Sequence, residues 1–315
     1  MHRLLLIALT ALVCGSACAQ GQDLKVTLLG TGSPIPDPAR YGPATLVQAG
    51  SQTLLFDAGR GATTRLYQLK IPLREVGPVF ITHYHSDHIN GLPDLWLSGW
   101  LGGPWAKRTT PMRVVGPKGL RELTDNLTKA YAADIRIRMA DEHYPLSGVT
   151  FEPQEFDKDG VVYEKDGVKV TAFEVDHGDA IKPAYGYRVD YNGHSVLISG
   201  DTRVTENVVK YGSGVDLLVH EVCAARPEIT DAQAKAVMAH HTSPQEAGAV
   251  FARAKPKMAA FTHIVLISRP SVPAPSIDDV ISQARQNYDG PLVVGSDLMT
   301  FEVSDHGVVV SGNGR

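Results

Sequence analysis

The feature that most restricts how this chain can fold is one short stretch, Val79-Phe80-Ile81-Thr82-His83-Tyr84-His85-Ser86-Asp87-His88. An apolar run of strand character ends in a His-x-His-x-Asp-His cluster. In an extended segment residues two apart face the same side, so His83 and His85 can present both imidazoles to one ion. Asp87 and His88 follow on the turn that opens a helix, where they point elsewhere and can serve a second ion. A lone histidine is usually structural, but four ligand-type residues in six positions directly after a strand point to metal.

Further ligand-type residues stand at the ends of other strand-like stretches. His177 lies in Asp176-His177-Gly178-Asp179, Asp201 in Ser199-Gly200-Asp201-Thr202, and His263 after residues 258–262. Together they complete the cluster. His83, His85 and His177 would hold one ion, Asp87, His88 and His263 the other, and Asp201 would bridge the two.

Strand patterns cover residues 25–29, 44–48, 53–57, 79–82, 113–116, 168–175, 185–191, 194–199, 217–220, 258–262, 292–295 and 299–303. Helical patterns cover 61–69, 119–133, 244–254 and 277–286. Strands with interspersed helices predict an α/β protein of sheets packed face to face with helices outside. No linker or composition change divides the chain, so residues 20–315 read as a single domain. Three segments, 95–111 with Trp96, Trp100 and Trp105, 134–160, and 269–275, read as irregular. Long loops of this kind often form lids or substrate-binding elements, while tryptophans equally often pack on the core.

The first residues carry a separate message. Met1-His2-Arg3 precedes an uncharged run from Leu4 to Val13 and then Ala17-Cys18-Ala19, which predicts a cleaved signal peptide over residues 1–19 and a periplasmic or secreted protein. The run is too short to span a bilayer. Cleavage would remove Cys14 and Cys18, leaving Cys223 alone and excluding a disulfide framework. A formal net charge of −4, without any run of Lys and Arg, gives no footprint for a polyanion, so no nucleic-acid partner is expected. Oligomeric state is left open, and a homo-oligomer is compatible with the sequence.

Leu29-Gly30-Thr31-Gly32-Ser33, Phe56-Asp57-Ala58-Gly59, the histidine cluster with Gly91-Leu92-Pro93, Ser199-Gly200-Asp201-Thr202, His220-Glu221, His241-Thr242-Ser243 and Thr262-His263 occur in an order that resembles the metallo-β-lactamase superfamily. Within it the chain is similar to the ribonuclease Z and arylsulfatase-like branch, most of all to secreted arylsulfatase-type members. The resemblance implies an αββα sandwich of two mainly mixed sheets. It also implies two divalent ions, usually zinc, although mixed nitrogen and oxygen ligands also accept manganese or iron. A metal-bridging hydroxide would be the nucleophile, oriented by Asp87. His241 would donate a proton to the leaving oxygen and Glu221 would orient it, with His240 as the competing donor. β-Lactam hydrolysis is disfavoured, because Asp201 stands where true metallo-β-lactamases often carry cysteine.

The resemblance also implies a substrate class. Ribonuclease Z members hold transfer RNA with a long arm inserted between the positions of His177 and Asp201, whereas residues 178–200 here read as a hairpin. The resulting expectation is an exported hydrolase of small aryl sulfate esters, with tryptophans of segment 95–111 stacking on the leaving group. A phosphodiesterase or lactonase is the alternative, and a non-catalytic zinc-binding protein the remaining one.

Overall fold

The computed structural model describes residues 24–312. The expected leader, residues 1–19, lies outside the described residues. Among these, fifteen strands form two sheets. The first sheet contains β1 (Leu24–Gly30), β2 (Ala44–Ala49), β3 (Gln52–Phe56), β4 (Val79–Phe80), β5 (Met112–Pro117) and β6 (Phe151–Phe156). The second runs through β7 (Gly160–Lys165), β8 (Val168–Glu174), β9 (Tyr185–Tyr191), β10 (His194–Ile198), β11 (Leu217–Ala225), β12 (Met258–Ile267) and β13 (Leu292–Val294). The chain then returns to the first sheet as β14 (Thr300–Ser304) and β15 (Gly307–Ser311), giving the order β15-β14-β1-β2-β3-β4-β5-β6 against β13-β12-β11-β10-β9-β8-β7. Both sheets mix parallel and antiparallel pairs.

Period-2 alternation explains why the sheets stack. Val168, Val170 and Ala172 of β8, with Val196 and Ile198 of β10, face inward onto Val26, Leu28, Leu54 and Phe56 of the first sheet. The intervening Phe173 and Leu197 face outward, beneath helices α6 (Glu206–Tyr211), α8 (Pro244–Ala254) and α9 (Ile277–Ala284). On the other side, α1 (Ala62–Gln68), α3 (Leu92–Trp100) and α4 (Leu120–Ala130) cover the first sheet through Leu66, Leu95, Trp96 and Leu120. The result is the αββα sandwich that the sequence implied. The remaining helices are α2 (Ser86–Ile89), α5 (Ala132–Asp141) and α7 (Ala232–Met238). No helix among the described residues is long and apolar enough to cross a membrane.

Segments 95–111 and 134–160 are more regular than expected. Most of α3 lies where the sequence reads as irregular, and Trp96 and Trp100 are 0% and 1% exposed. Their indole N–H groups donate to the carbonyls of Val149 and Pro145 at 3.0 and 2.8 Å. They are core residues and cannot stack on a leaving group, which corrects the expectation for these two, while Trp105 is half-buried with its ring edge-on to Tyr67 at 5.5 Å. Segment 134–160 holds most of α5 and all of β6. Residues 178–200 do form a hairpin, with β9 and β10 paired antiparallel from Tyr191 and His194.

Candidate metal centre

Strand direction collects the ligands. β3, β4 and β5 run parallel, as do β10, β11 and β12, so their carboxyl ends meet along one edge of the sandwich. His83 and His85 follow β4, His177 follows β8, and Asp201 follows β10. His263 needs a special device. Between Glu221↔Thr262 and Val222↔Ile264 the register of β11 and β12 shifts, and His263 is the extra residue, with φ 42°. Such a bulge re-aims one side chain out of the ladder, and here it turns His263 towards Asp87 and Asp201.

The seven residues named from the sequence converge. Asp201 Oδ2 lies 3.8 Å from His83 Nε2, 3.7 Å from His177 Nε2, 3.3 Å from His88 Nε2 and 3.2 Å from His263 Nε2. Asp87 Oδ2 lies 3.6 and 3.2 Å from the Nε2 atoms of His88 and His263. Ligands about 2.0–2.1 Å from a tetrahedral ion stand about 3.3 Å from one another, so these separations suit zinc. His83, His85, His177 and Asp201 form one group able to hold an ion, and Asp87, His88 and His263 another. Asp201 touches both.

Donor chemistry fits as well. Thr82 Oγ1 donates to Asp57 at 2.9 Å, so at the 3.0 Å contact between His83 Nδ1 and Thr82 Oγ1 the imidazole is the donor. His88 Nδ1–H donates to Asp57 Oδ2 at 2.7 Å, and His177 Nδ1–H to the His240 carbonyl at 2.8 Å. At His83 and His177 this fixes the tautomer that leaves Nε2 as a lone pair facing Asp201, and at His88 it leaves Nε2 as the nitrogen that an ion would take in place of a proton. His85 Nδ1 and His177 Nε2 meet at 3.3 Å, close enough for both to reach one ion. The buried His83 Nε2 and Asp201 Oδ1 have no hydrogen-bond partner among the described residues.

Charge states agree. Burial pushes His83, His85 and His177 down, His177 to about 4, so all three are neutral ligands near pH 7. Burial opposes ionisation of Asp201, but the surrounding His263 and His88 outweigh it and hold the carboxyl well below its ordinary range. Asp87 is likewise lowered, with burial overcome by the hydrogen bond and charge of His263 and the charge of His88. For His88, burial is overcome by Asp201 and Asp57, which favour a positive charge at this ring. The same field would favour a divalent cation.

Beside the ligands stands the second pair named from the sequence. His241 Nδ1 lies 3.2 Å from Glu221 Oε2, and Glu221 Oε1 accepts the Thr242 backbone N–H at 2.8 Å. Burial would discharge His241, but Glu221 and then Asp201 raise its pKa above the ordinary value. His241 can therefore hold a proton near neutrality. Among the described residues no carboxylate pairs with the His240 ring, so of the two competing donors His241 is the better placed. His220 points the other way, its ring 5.8 Å from that of Phe251.

Two residues that matter here were not singled out for a role from the sequence, Asp57 and Thr82. Asp57 accepts Thr82 N–H, Thr82 Oγ1–H and His88 Nδ1–H, and so orders one ligand of each ion set. Its left-handed backbone, φ 58°, aims the carboxylate back beneath the histidine cluster. Phe56-Asp57-Ala58-Gly59 was the available signal.

A family model described as beta-lactamase superfamily domain matches residues 52–264. Ribonuclease Z of Mycobacterium marinum is 36% identical over 284 residues, spanning 89% of this chain and 99% of that protein. Ribonuclease Z of Mycolicibacterium gilvum is 34% identical over 286 residues, 89% of this chain and 96% of the other. Among solved structures, the short form of human tRNase Z aligns with a TM-score of 0.64 at 25% identity, covering 89% of this chain and 99% of that one. The metallo-β-lactamase fold protein YhfI from Bacillus subtilis aligns with a TM-score of 0.70 at 20% identity over 89% and 99% of the two chains, a likeness of fold. These relatives support the ribonuclease Z-like side of the expected branch and lend none to its arylsulfatase-type members. The chain belongs to the metallo-β-lactamase superfamily and is a metal-dependent hydrolase with ribonuclease Z among its relatives.

Proposed function

We propose that the protein is an exported phosphodiesterase acting on small phosphodiesters, with two divalent ions held by His83, His85, His177 and Asp201 and by Asp87, His88, His263 and the shared Asp201. The observation that carries this reading is the position of Asp201 Oδ2, within 3.8 Å of a nitrogen from each of His83, His177, His88 and His263. Export rests on the residues of the expected leader. Two such ions, when bound, lower the pKa of a water towards neutrality and draw off charge from the substrate's oxygens.

The chain's own residues supply the rest. Asp87 presents an ionised carboxylate at the second group, suited to orienting the attacking water. Glu221 accepts the Thr242 N–H, and its Oε2 stands 3.2 Å from Nδ1 of His241, within ion-pair distance. A ring nitrogen of His241 lies within 4.8 Å of ligand atoms of Asp201 and His263, which supports a role for this ring in giving a proton to the leaving oxygen.

Phosphodiester chemistry is favoured over sulfate chemistry because ribonuclease Z relatives match along nearly their whole length, and because Trp96 and Trp100 are buried. A small substrate is favoured over transfer RNA by the short hairpin between His177 and Asp201 and by the net charge of −4. The test is turnover by the zinc-reconstituted protein of bis(4-nitrophenyl) phosphate, 4-nitrophenyl sulfate, a lactone, a cephalosporin and a precursor transfer RNA. The highest kcat/KM is expected for the first. A sulfate, lactone or cephalosporin preference overturns the phosphodiesterase reading, and a transfer RNA preference overturns the small-substrate part of it.

A further inference from the structure

His240 borders the centre, yet its imidazole has no task in the account above. Its backbone carbonyl is occupied, accepting His177 Nδ1–H at 2.8 Å. The ring stands edge-on to that of His177, with centroids 4.9 Å apart and an interplanar angle of 90°, and 4.8 Å from the ring of His241. Among the described residues neither of its ring nitrogens has a hydrogen-bond partner, although the side chain is half-buried. Its place is built by the fold. Gly178, directly after the ligand His177, has φ +99°, and a Cβ there would come within 3.1 Å of His240 Cβ. Only glycine both takes that backbone conformation readily and leaves the room.

A phosphodiester brings non-bridging oxygens to the centre, and an oxygen facing the rim needs a donor. An imidazole carries at least one N–H in either protonation state. We propose that the His240 imidazole is a specificity-determining donor that hydrogen-bonds a non-bridging oxygen of the bound tetrahedral anion, selecting phosphodiesters over uncharged esters such as lactones. The proposal rests on the phosphodiesterase reading for its substrate, but not for its geometry. His240 is thereby separated from His241: the former holds the anion, the latter moves a proton.

The test compares wild type, His240→Ala and His240→Asn as zinc-loaded full-length protein. Zinc content is measured, inorganic phosphate is titrated calorimetrically, and KM and kcat are determined for bis(4-nitrophenyl) phosphate. A hydrogen bond to a charged group supports an affinity difference of about tenfold. In His240→Ala, phosphate affinity should fall and KM rise by about that factor, with kcat changed less than about threefold and zinc retained. His240→Asn, whose amide also donates, should recover most of the loss. Unchanged phosphate affinity in His240→Ala overturns the proposal. So does loss of zinc, which would make the ring a support for His177, or an equal defect in both variants. Should the wild type turn over no phosphodiester, the phosphodiesterase reading falls, while the phosphate titration still decides the role of His240.

Discussion

Asp57 offers the sharpest perturbation, because its carboxylate makes three buried hydrogen bonds and touches neither substrate nor ion. Oδ1 accepts Thr82 N–H at 2.9 Å, while Oδ2 accepts Thr82 Oγ1–H at 2.9 Å and His88 Nδ1–H at 2.7 Å. Asp57→Ala leaves a buried backbone N–H unpaired, which costs about 1–3 kcal/mol of stability. It also frees the His88 ring, and loss of such a support typically lowers metal affinity about 10–100-fold. Asp57→Asn separates the two effects. The amide oxygen can still serve Thr82 N–H, but the NH2 then faces His88 Nδ1, and that ring must place its proton on Nε2, where the ion would bind. Asparagine should therefore be less damaging than alanine to the melting of the metal-free protein, yet at least as damaging to zinc affinity. Both quantities are measurable, by thermal denaturation and by competition with a chelating dye. Wild-type zinc affinity in Asp57→Asn would refute the orienting role.

Three further outcomes follow from the same geometry. His241→Ala should keep both metals and lose little rate on nitrophenyl esters, but lose about 10²–10⁴-fold on esters with unactivated leaving groups; an equal loss on both would make His241 a binding residue rather than a proton donor. Trp100, 1% exposed and packed edge-on against Tyr144 at 5.5 Å, should cost about 3–5 kcal/mol when replaced by alanine, read by chemical denaturation; a raised KM for aryl substrates with stability unchanged would return it to the substrate side. Burial, with the charges of Glu221 and Asp201, pushes the Cys223 thiol up to about 12, so Cys223 should resist iodoacetamide at pH 8 in the native protein and react only when denatured, read by peptide mapping; rapid labelling of Cys223 in the native state would contradict its burial.

The parts of this molecule that are legible in sequence are those written locally. The histidine cluster occupies six consecutive positions after a strand, and α8 announces itself by Ser243 and Glu246, whose reciprocal capping box starts the helix at Pro244 as the pattern implies. What escapes is determined by distant partners. α3 is obscured by Pro93 and Gly99, the first tolerated in its opening turn and the second filling a close approach to the Arg108 guanidinium. β6 reads as charged loop because it is an edge strand, where Pro153 and polar residues are admitted. β12 continues past the end expected at residue 262, because the bulge at His263 interrupts the alternation without ending the strand. Helix 119–133 breaks at Tyr131, whose φ −98° and ψ 11° separate α4 from α5, a break that no single residue type marks. The seven candidate ligands could be named without the structure. That Asp57 orders His88, and that Glu221 faces His241 rather than His240, depends on contacts between residues 31 and 20 positions apart, which only the folded sheets bring together.

The dinuclear centre itself is tested most directly by counting metal. Mass-spectrometric metal analysis of the zinc-reconstituted wild type, His177→Ala and Asp201→Ala should give two ions per chain for the first. His177→Ala should mainly lose the ion of the His83 and His85 group, while Asp201→Ala should be impaired at both positions, because that one carboxylate stands between the two histidine sets. A single ion in the fully reconstituted wild type, or two ions retained at wild-type affinity in Asp201→Ala, would contradict the bridged two-metal centre.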